Sequence, residues 1–289
     1  MAWAELLKKT RAFFDSRGFV EVWTEQLVEA GAFEAVIDPL VVRLGNTSRQ
    51  LHTSAEIEMK QILAETQKPI YQVCKVFRDD PATEIHWREF TMLELYQPGL
   101  DLNGLKQLTK SYLKHVATPL PLIEETTIRD SLLGSTGIDI EKAQSKDELR
   151  KSIVDTRAIE ISLGDSWEDM FFKLLIEKVE PSFSHETLTF LSGYPTSVSP
   201  LSEEGPSGIA ERFEIYWKGM EIGNGCVELR DLKELKRRYQ SQSDQRSKEG
   251  KLPHPMPNRL YEALPRLPKC SGIAIGMDRL FDGIYSSVR

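Results

Sequence analysis

Three glutamates, Glu214, Glu221 and Glu228, stand seven residues apart in the stretch 211–228. Carboxylates spaced this way can hold a hard cation, grip an ammonium group or simply face water. On a helix, residues seven apart share a face; on strands, an odd step changes face unless a turn or bulge intervenes. Composition selects the strands. Phe213, Ile215, Tyr216 and Trp217 favour β structure, Lys218-Gly219 signals a turn, and Gly223 and Gly225 would weaken a helix. The expectation is a hairpin followed by a glycine-lined strand that lets a ligand approach the backbone. The plain alternative is three solvated surface acids, since most acids are exposed.

Two arginines offer the complementary charge. Arg78 ends an apolar run just before a polar loop, and Arg279 follows an apolar run bracketed by Gly272 and Gly276. Such arginines commonly make local ion pairs; beside a glycine-lined strand they can also take phosphate. The two common nucleotide loops, GxGxxG in a βαβ unit and GxxxxGK[ST], are not found. The set points instead to an antiparallel nucleotide site. There Glu214 and Glu221 would hold Mg²⁺ and the arginines would neutralise phosphate charge. His86 is the one histidine near this set, and Phe90 taken alone reads as core.

The elements that must position these residues follow from periodicity. Trp3, Leu6, Leu7, Phe13 and Phe14 share a helical face that stops at Gly18. Strands are expected at 19–22, 69–79, 89–97 and 271–277, with a hairpin around Gly45-Asn46. Helices are expected at 55–65, from Asp101 to about residue 116, from Asp231 to about 250, at 259–264 and at 278–286. The stretch 118–200 reads as an insertion of modest helices, near 146–154 and 167–179, the latter capped by Ser166 with Asp169 three residues on. Lys233, Lys236, Arg237, Arg238, Arg246 and Lys248 read as a solvated basic face on the long polar helix.

Composition bounds the rest. The chain has 289 residues, 40% hydrophobic and 28% charged, as expected of a soluble globular protein. No apolar run reaches the length of a membrane span, and charges at Lys8, Lys9, Arg11, Asp15 and Arg17 exclude a signal peptide. Three scattered cysteines without a CxxC argue against a disulfide framework or a zinc site, and for a reducing cytoplasm. The net charge of −7 is opposite to that of a protein that grips nucleic acid over a wide area.

Taken together, these residues resemble the class II aminoacyl-tRNA synthetases of the lysyl type. The run from Phe77-Arg78-Asp79-Asp80 through His86, Glu89 and Phe90 to Tyr96 resembles motif 2. The run from Gly272 through Gly276 to Arg279 resembles motif 3, and 17–24 resembles motif 1. Thr53-Ser54-Ala55-Glu56 is similar to the family's Thr-Ser-Pro-Glu substrate loop, and the run from Glu221 to Glu228 to its lysine-pocket strand. Lysyl-tRNA synthetases carry an N-terminal OB-fold that reads the anticodon, whereas the motif 1 helix here lies within the first dozen residues. The resemblance is therefore closest to their free-standing paralogues, the elongation factor P–(R)-β-lysine ligases, which share Ala274 in motif 3.

The resemblance implies an α+β fold, an antiparallel sheet flanked by helices. It implies one catalytic domain over 1–289 with a helical insertion at about 118–200 and no anticodon-binding domain. It implies a homodimer built on motif 1. ATP would be bound by Arg78, Asp79, Asp80, His86, Phe90, Glu221, Ile222, Gly276 and Arg279, with Arg78 on the α-phosphate, Arg279 on the γ-phosphate and Phe90 on adenine. Glu214 and Glu221 would hold Mg²⁺. Ser54, Glu56, Glu94, Tyr96, Asn224 and Glu228 would bind a lysine-type amino acid. Glu56 would take the ammonium on the backbone side, Asn224 the carboxylate, and Tyr96 and Glu228 the distal ammonium. The acceptor would be elongation factor P rather than tRNA. The alternatives are a small synthetase that charges tRNA or a small molecule, and an inactive paralogue that serves as a binding subunit. The chain departs from the family at Glu25 and Ala55, where proline is usual, at Asp80, where glutamate is usual, and at Trp87-Arg88, which replaces Asn-Pro.

Overall fold

The buried positions Leu6, Thr10, Phe13 and Phe14 make one stripe of α1 (Ala2–Asp15). β1 (Val20–Glu21), β2 (Leu27–Val28) and the hairpin β3 (Val41–Leu44) and β4 (Thr47–Leu51) follow. Next come α2 (Glu56–Thr66), β5 (Ile70–Phe77), β6 (Glu89–Pro98) and α3 (Leu102–Val116). Asp101 caps α3 by accepting from the Gly104 N–H at 2.8 Å. The middle of the chain forms β7 (Leu122–Thr127), α4 (Ile128–Thr136), α5 (Lys146–Thr156), α6 (Trp167–Leu174) and β8 (Thr187–Ser192). The last third runs through β9 (Arg212–Trp217), β10 (Met220–Val227), α7 (Leu232–Lys248), α8 (Asn258–Ala263), β11 (Cys270–Gly276) and α9 (Met277–Tyr285). The computed structural model describes residues 1–79 and 87–285; the expected ATP contacts Asp80 and His86 lie outside the described residues.

The chain divides into two compact units. The first comprises Met1–Thr118, Pro200–Glu203 and Gly225–Arg289, the second Pro119–Ser199 and Glu204–Asn224. In the first, β5 pairs antiparallel with β6, and β6 antiparallel with β11. β1 pairs with β5 in parallel, Val20 opposite Ile70. Because side chains alternate across a strand, even-numbered positions of β5 and β6 face one way. Ile70, Cys74, Val76, Met92 and Tyr96 pack there with Met59 and Leu63 of α2, Leu235 of α7 and Leu260 of α8. The opposite face carries Tyr71, stacked on Phe14 at 4.9 Å between ring centroids, and Tyr112 of α3 lies 5.3 Å from the same ring.

The second unit departs from the helical insertion expected at 118–200. It contains α4, α5 and α6, but also β7 and β8, paired in parallel, and β8 pairs antiparallel with β9. β7 reads Leu-Ile-Glu-Glu-Thr-Thr with no buried residue, so its exposure at the edge of the pairing erased the apolar signal of a strand. The antiparallel sheet of the sequence reading thus holds for β5, β6 and β11 and for β8 and β9, while β1 and β7 join their neighbours in parallel. A capping box at Ser166 and Asp169 starts α6 as expected; a wide π turn over Leu175–Val179 then replaces the predicted last helical turn.

The basic face of α7 is also corrected. Arg238 is buried, bonded to Glu234 and to the Ser202 carbonyl at 2.8 Å. Arg246 is buried between Asp38 and the carbonyls of Ala35 and Leu252. Lys233, Lys236, Arg237 and Lys248 remain exposed. Among the described residues the three cysteines form no disulfide, and no helix is long and apolar enough to cross a membrane.

Phe14 is fully buried beneath Phe19, Tyr71 and Tyr112. Phe14→Ala is expected to cost about 3–5 kcal/mol, the range for an emptied aromatic core position. The exposed Val154→Ser is expected to stay within about 0.5 kcal/mol of the parent in the same urea melts.

Candidate active site

The register of β6 creates the site. Phe90, Glu94 and Tyr96 are all even positions and so share the face that α2 covers. Opposite them on β11 stand Ala274 and Gly272, the latter directly across from Tyr96. A Cβ at position 272 would lie 2.4 Å from the Tyr96 ring and 2.7 Å from Glu228 Oε1. Only glycine fits there, because Tyr96 and Glu228 pack directly against the backbone of β11.

Three carboxylates meet around α2. Glu94, buried, has Oε1 on the Ala55 N–H at 2.8 Å, so it caps α2 where Ala55 has no side-chain oxygen to do so. Its Oε2 receives a long bond from the Tyr96 hydroxyl at 3.4 Å. Glu56 opens the helix, and its N–H donates to Ser54 Oγ at 3.1 Å. Glu228, 2% exposed, lies just past β10, its N–H on the Cys270 carbonyl. Burial pushes the carboxyls of Glu94 and Glu228 up to about 7. The Ala55 N–H works against that rise at Glu94, and Lys60 works against it at Glu228. Burial also raises the Tyr96 hydroxyl well above its usual range, with Glu94 adding to it.

Lys60 was missed in the sequence reading. Its Nζ lies 2.5 Å from Glu56 Oε1 and 2.5 Å from Glu228 Oε2, and the residue is 1% exposed. Burial alone would lower its pKa, but Glu228 and Glu56 together raise it well above the usual lysine value. A signal was available: Lys60 falls between Ile57 and Leu63–Ala64 on the apolar stripe of α2, where a lysine needs a buried partner.

On the same sheet face, the Arg78 guanidinium lies 5.3 Å from the Phe90 ring. Its buried Nε finds no partner among the described residues. A buried donor left unbonded is costly, so this group is set for an acceptor. Asp79 is exposed and lies 3.6 Å from Arg88. Arg279 lies in the first turn of α9, one residue after Asp278, whose Oδ2 takes the Thr91 N–H at 2.6 Å and ties α9 to β6. Gly276 stands opposite Met92.

The second unit holds the other acids. β9 and β10 form the expected hairpin, turning at Lys218 and Gly219, both with positive φ. Glu214 is buried and already satisfied. Its Oε2 accepts from Tyr194 at 2.5 Å and Tyr216 at 2.6 Å, and its Oε1 is paired with Arg212. Arg212 also donates to Asn224 Oδ1 at 3.0 Å. Glu221 is half-buried and Ile222 buried. As a cation site the pair is therefore unequal. Glu221 fits a hard cation's need for a carboxylate, while Glu214 would first have to release Arg212 or a tyrosine. The tyrosines and Arg212 were not singled out from sequence, although Arg212 precedes Glu214 by two on one strand face.

Glu94 tests the electrostatics. Its carboxyl is raised in the folded state relative to 4.5 in the unfolded chain. Its contribution is therefore fully present below the unfolded value and is lost as pH rises through about 7. Glu94→Gln keeps an acceptor for Ala55. It is expected to match the parent near pH 5 and to exceed it by up to about 3 kcal/mol at pH 8 in urea melts, the limit set by a shift of this size.

The family profile for tRNA synthetases class II (D, K and N) matches residues 1–288 of this chain. The chain is 32% identical over 287 residues to a protein of Salmonella gallinarum named elongation factor P–(R)-β-lysine ligase, a match that covers 96% of this chain and 88% of that relative.

Proposed function

This chain belongs to the class II (D, K and N) tRNA synthetase family, and we propose that it activates a lysine-type amino acid, (R)-β-lysine foremost, with ATP and transfers it to a lysine of elongation factor P. The observation that carries this reading is the cluster of buried Glu94 and Glu228 with half-buried Glu56, packed beside Gly272. Buried carboxylates outnumbering their own cations call for a cationic ligand. An amino acid with two ammonium groups is such a ligand. The name of the relative supports the choice of substrate and acceptor.

The chemistry needs little beyond placement and charge. The amino acid's carboxylate is ionised at neutral pH and needs no base to attack the α-phosphate. A mixed anhydride with AMP forms as pyrophosphate leaves. The acceptor amine then attacks the acyl carbon, AMP departs and an amide remains. Glu228 and Tyr96 hold the distal ammonium, Glu56 the nearer one and Asn224 the carboxylate, with Ser54 and Glu94 supporting them. Arg78 takes the α-phosphate and Phe90 the adenine, with Asp79, Ile222 and Gly276 lining the nucleotide. Arg279 takes the γ-phosphate. Mg²⁺, when bound, adds positive charge at the phosphate oxygens, and Glu221 is the residue best suited to hold it. The same reading makes the chain a cytoplasmic homodimer built on motif 1. Its support is Trp23, 78% exposed, with Leu27, Val41 and Leu44 also exposed nearby in sequence.

ATP–pyrophosphate exchange across a panel with both lysine isomers tests activation. Glu228→Gln is expected to cost about 2–4 kcal/mol in kcat/KM for the lysine substrate while the KM for ATP holds. Arg78→Ala is expected to lower exchange about 100- to 1000-fold with every amino acid. Near-parental exchange in either variant would show that its site is misassigned.

Transfer is tested separately. Enzyme, ATP and labelled β-lysine are offered to elongation factor P and to bulk tRNA in parallel. Label is expected on elongation factor P; label on tRNA alone would replace this reading with that of a small synthetase.

A further inference from the structure

The two acids assigned to the substrate's two ammonium groups already share one ammonium, that of Lys60. Lys60 takes one oxygen of each, Glu56 Oε1 and Glu228 Oε2. The second oxygen of Glu228, Oε1, packs against the backbone at Gly272, 2.7 Å from where a Cβ would stand, with Cys226 Sγ 3.7 Å away. Lysine at this position is an expensive choice for a buried helix stripe, since a methionine would fill it without desolvating a charge. The contact therefore serves something other than packing.

We propose that Lys60 is a resident counter-ion of the amino-acid site, which stays paired with Glu56 and Glu228 while substrate binds and sets the site's charge to suit a diamino acid. The proposal rests on the reading above that these acids take the substrate's ammonium groups. Three carboxylates less one ammonium leave two negative charges, which matches two ammonium groups and no more. The other ionisable groups that reach the cluster are Tyr96, Cys226, Cys270 and Glu58, the last a further acid whose carboxyl burial raises to about 7. Tyr96, Cys226 and Cys270 are ordinarily neutral; Cys270 also feels Arg230 and Glu203, which offset each other. Glu58 feels Glu94, and behind it Arg259 faces Glu25.

The rival role for the same contact is a plug, a mimic of substrate that must leave before substrate enters. Geometry favours the counter-ion. Lys60 is 1% exposed on the helix face that also carries buried Ile57, Leu63 and Ala64, and its ion-pair partners are Glu56 and Glu228. Withdrawing it from them would leave a bare ammonium in the apolar layer. Lys60 takes Glu228 Oε2, so Oε1 can receive a substrate ammonium without displacing Lys60.

Lys60→Met distinguishes the roles in the full-length chain. The readouts are amino-acid-dependent ATP–pyrophosphate exchange and calorimetric binding of (R)-β-lysine and α-lysine. Without Lys60, Glu228 would keep its proton to higher pH and so lose its grip on an ammonium at neutral pH. The KM for the diamino acid is expected to rise about tenfold or more at pH 7, as for one charge lost beside a buried pair. The loss should shrink toward pH 9, and kcat and the KM for ATP should hold. A KM that falls at pH 7 would make Lys60 a plug; an unchanged KM would make it structural; either overturns the proposal.

Should Lys60→Met not fold, the parent protein decides through the nitrogen-15 resonance of the buried Lys60 ammonium. With saturating diamino acid this signal is expected to stay protected from solvent exchange; its loss overturns the proposal. A parent that binds no diamino acid overturns the reading of the site and this proposal with it. A parent that binds one, paired with an indifferent Lys60→Met, overturns the proposal alone.

Discussion

The carboxylate cluster around α2 depends on keeping Glu94 and Glu228 where water hardly reaches, with Glu56 at its half-buried edge. An isolated buried carboxylate costs several kcal/mol and tends to take up a proton instead. The fold meets that constraint with few groups. Glu94 is spent on the first turn of α2, where it does the capping that Ala55 cannot. Glu56 and Glu228 share the ammonium of Lys60. What remains is negative charge without a matching protein cation, and that residue of charge is what a dicationic substrate would recognise.

The same economy shapes the residues expected to face a nucleotide. β6 carries Phe90, Glu94 and Tyr96 on one face, so a single strand contributes to both the expected adenine contact and the amino-acid site. Asp278 ties the start of α9 to β6 through Thr91, which fixes where Arg279 begins. Stability is given up in return. Glu94 and Glu228 are held with carboxyls near 7, and among the described residues the buried Arg78 Nε has no partner. Strain of this kind gathers where a ligand is meant to relieve it. Glu214 shows the opposite treatment: two tyrosines and Arg212 satisfy it completely, which fits a structural anchor for β9 as well as it fits a metal ligand.

Much of this was legible in the sequence. The β9–β10 hairpin, the Asp101 and Asp231 caps, the strands of motifs 2 and 3 and the helix around Glu56 follow from period, turn residues and caps, all of which act over a few positions. The order of short motifs pointed to the family for the same reason, since each motif is a local solution to holding one part of a ligand. Three things were not legible. β7 was lost because an exposed edge strand carries no apolar pattern. Arg238 and Arg246 looked like a solvated face because their acceptors, the carbonyls of Ser202 and Ala35, lie on distant stretches of chain. Lys60 was passed over, because its partner Glu228 lies far along the chain and is brought to it only by the pairing of β6 with β11 and the passage of β10 beside them. Which residues could carry charge was determined by the sequence; which charges end in the dry interior, and against whom, was decided by strand pairing, because burial and long-range register are properties of the folded chain alone.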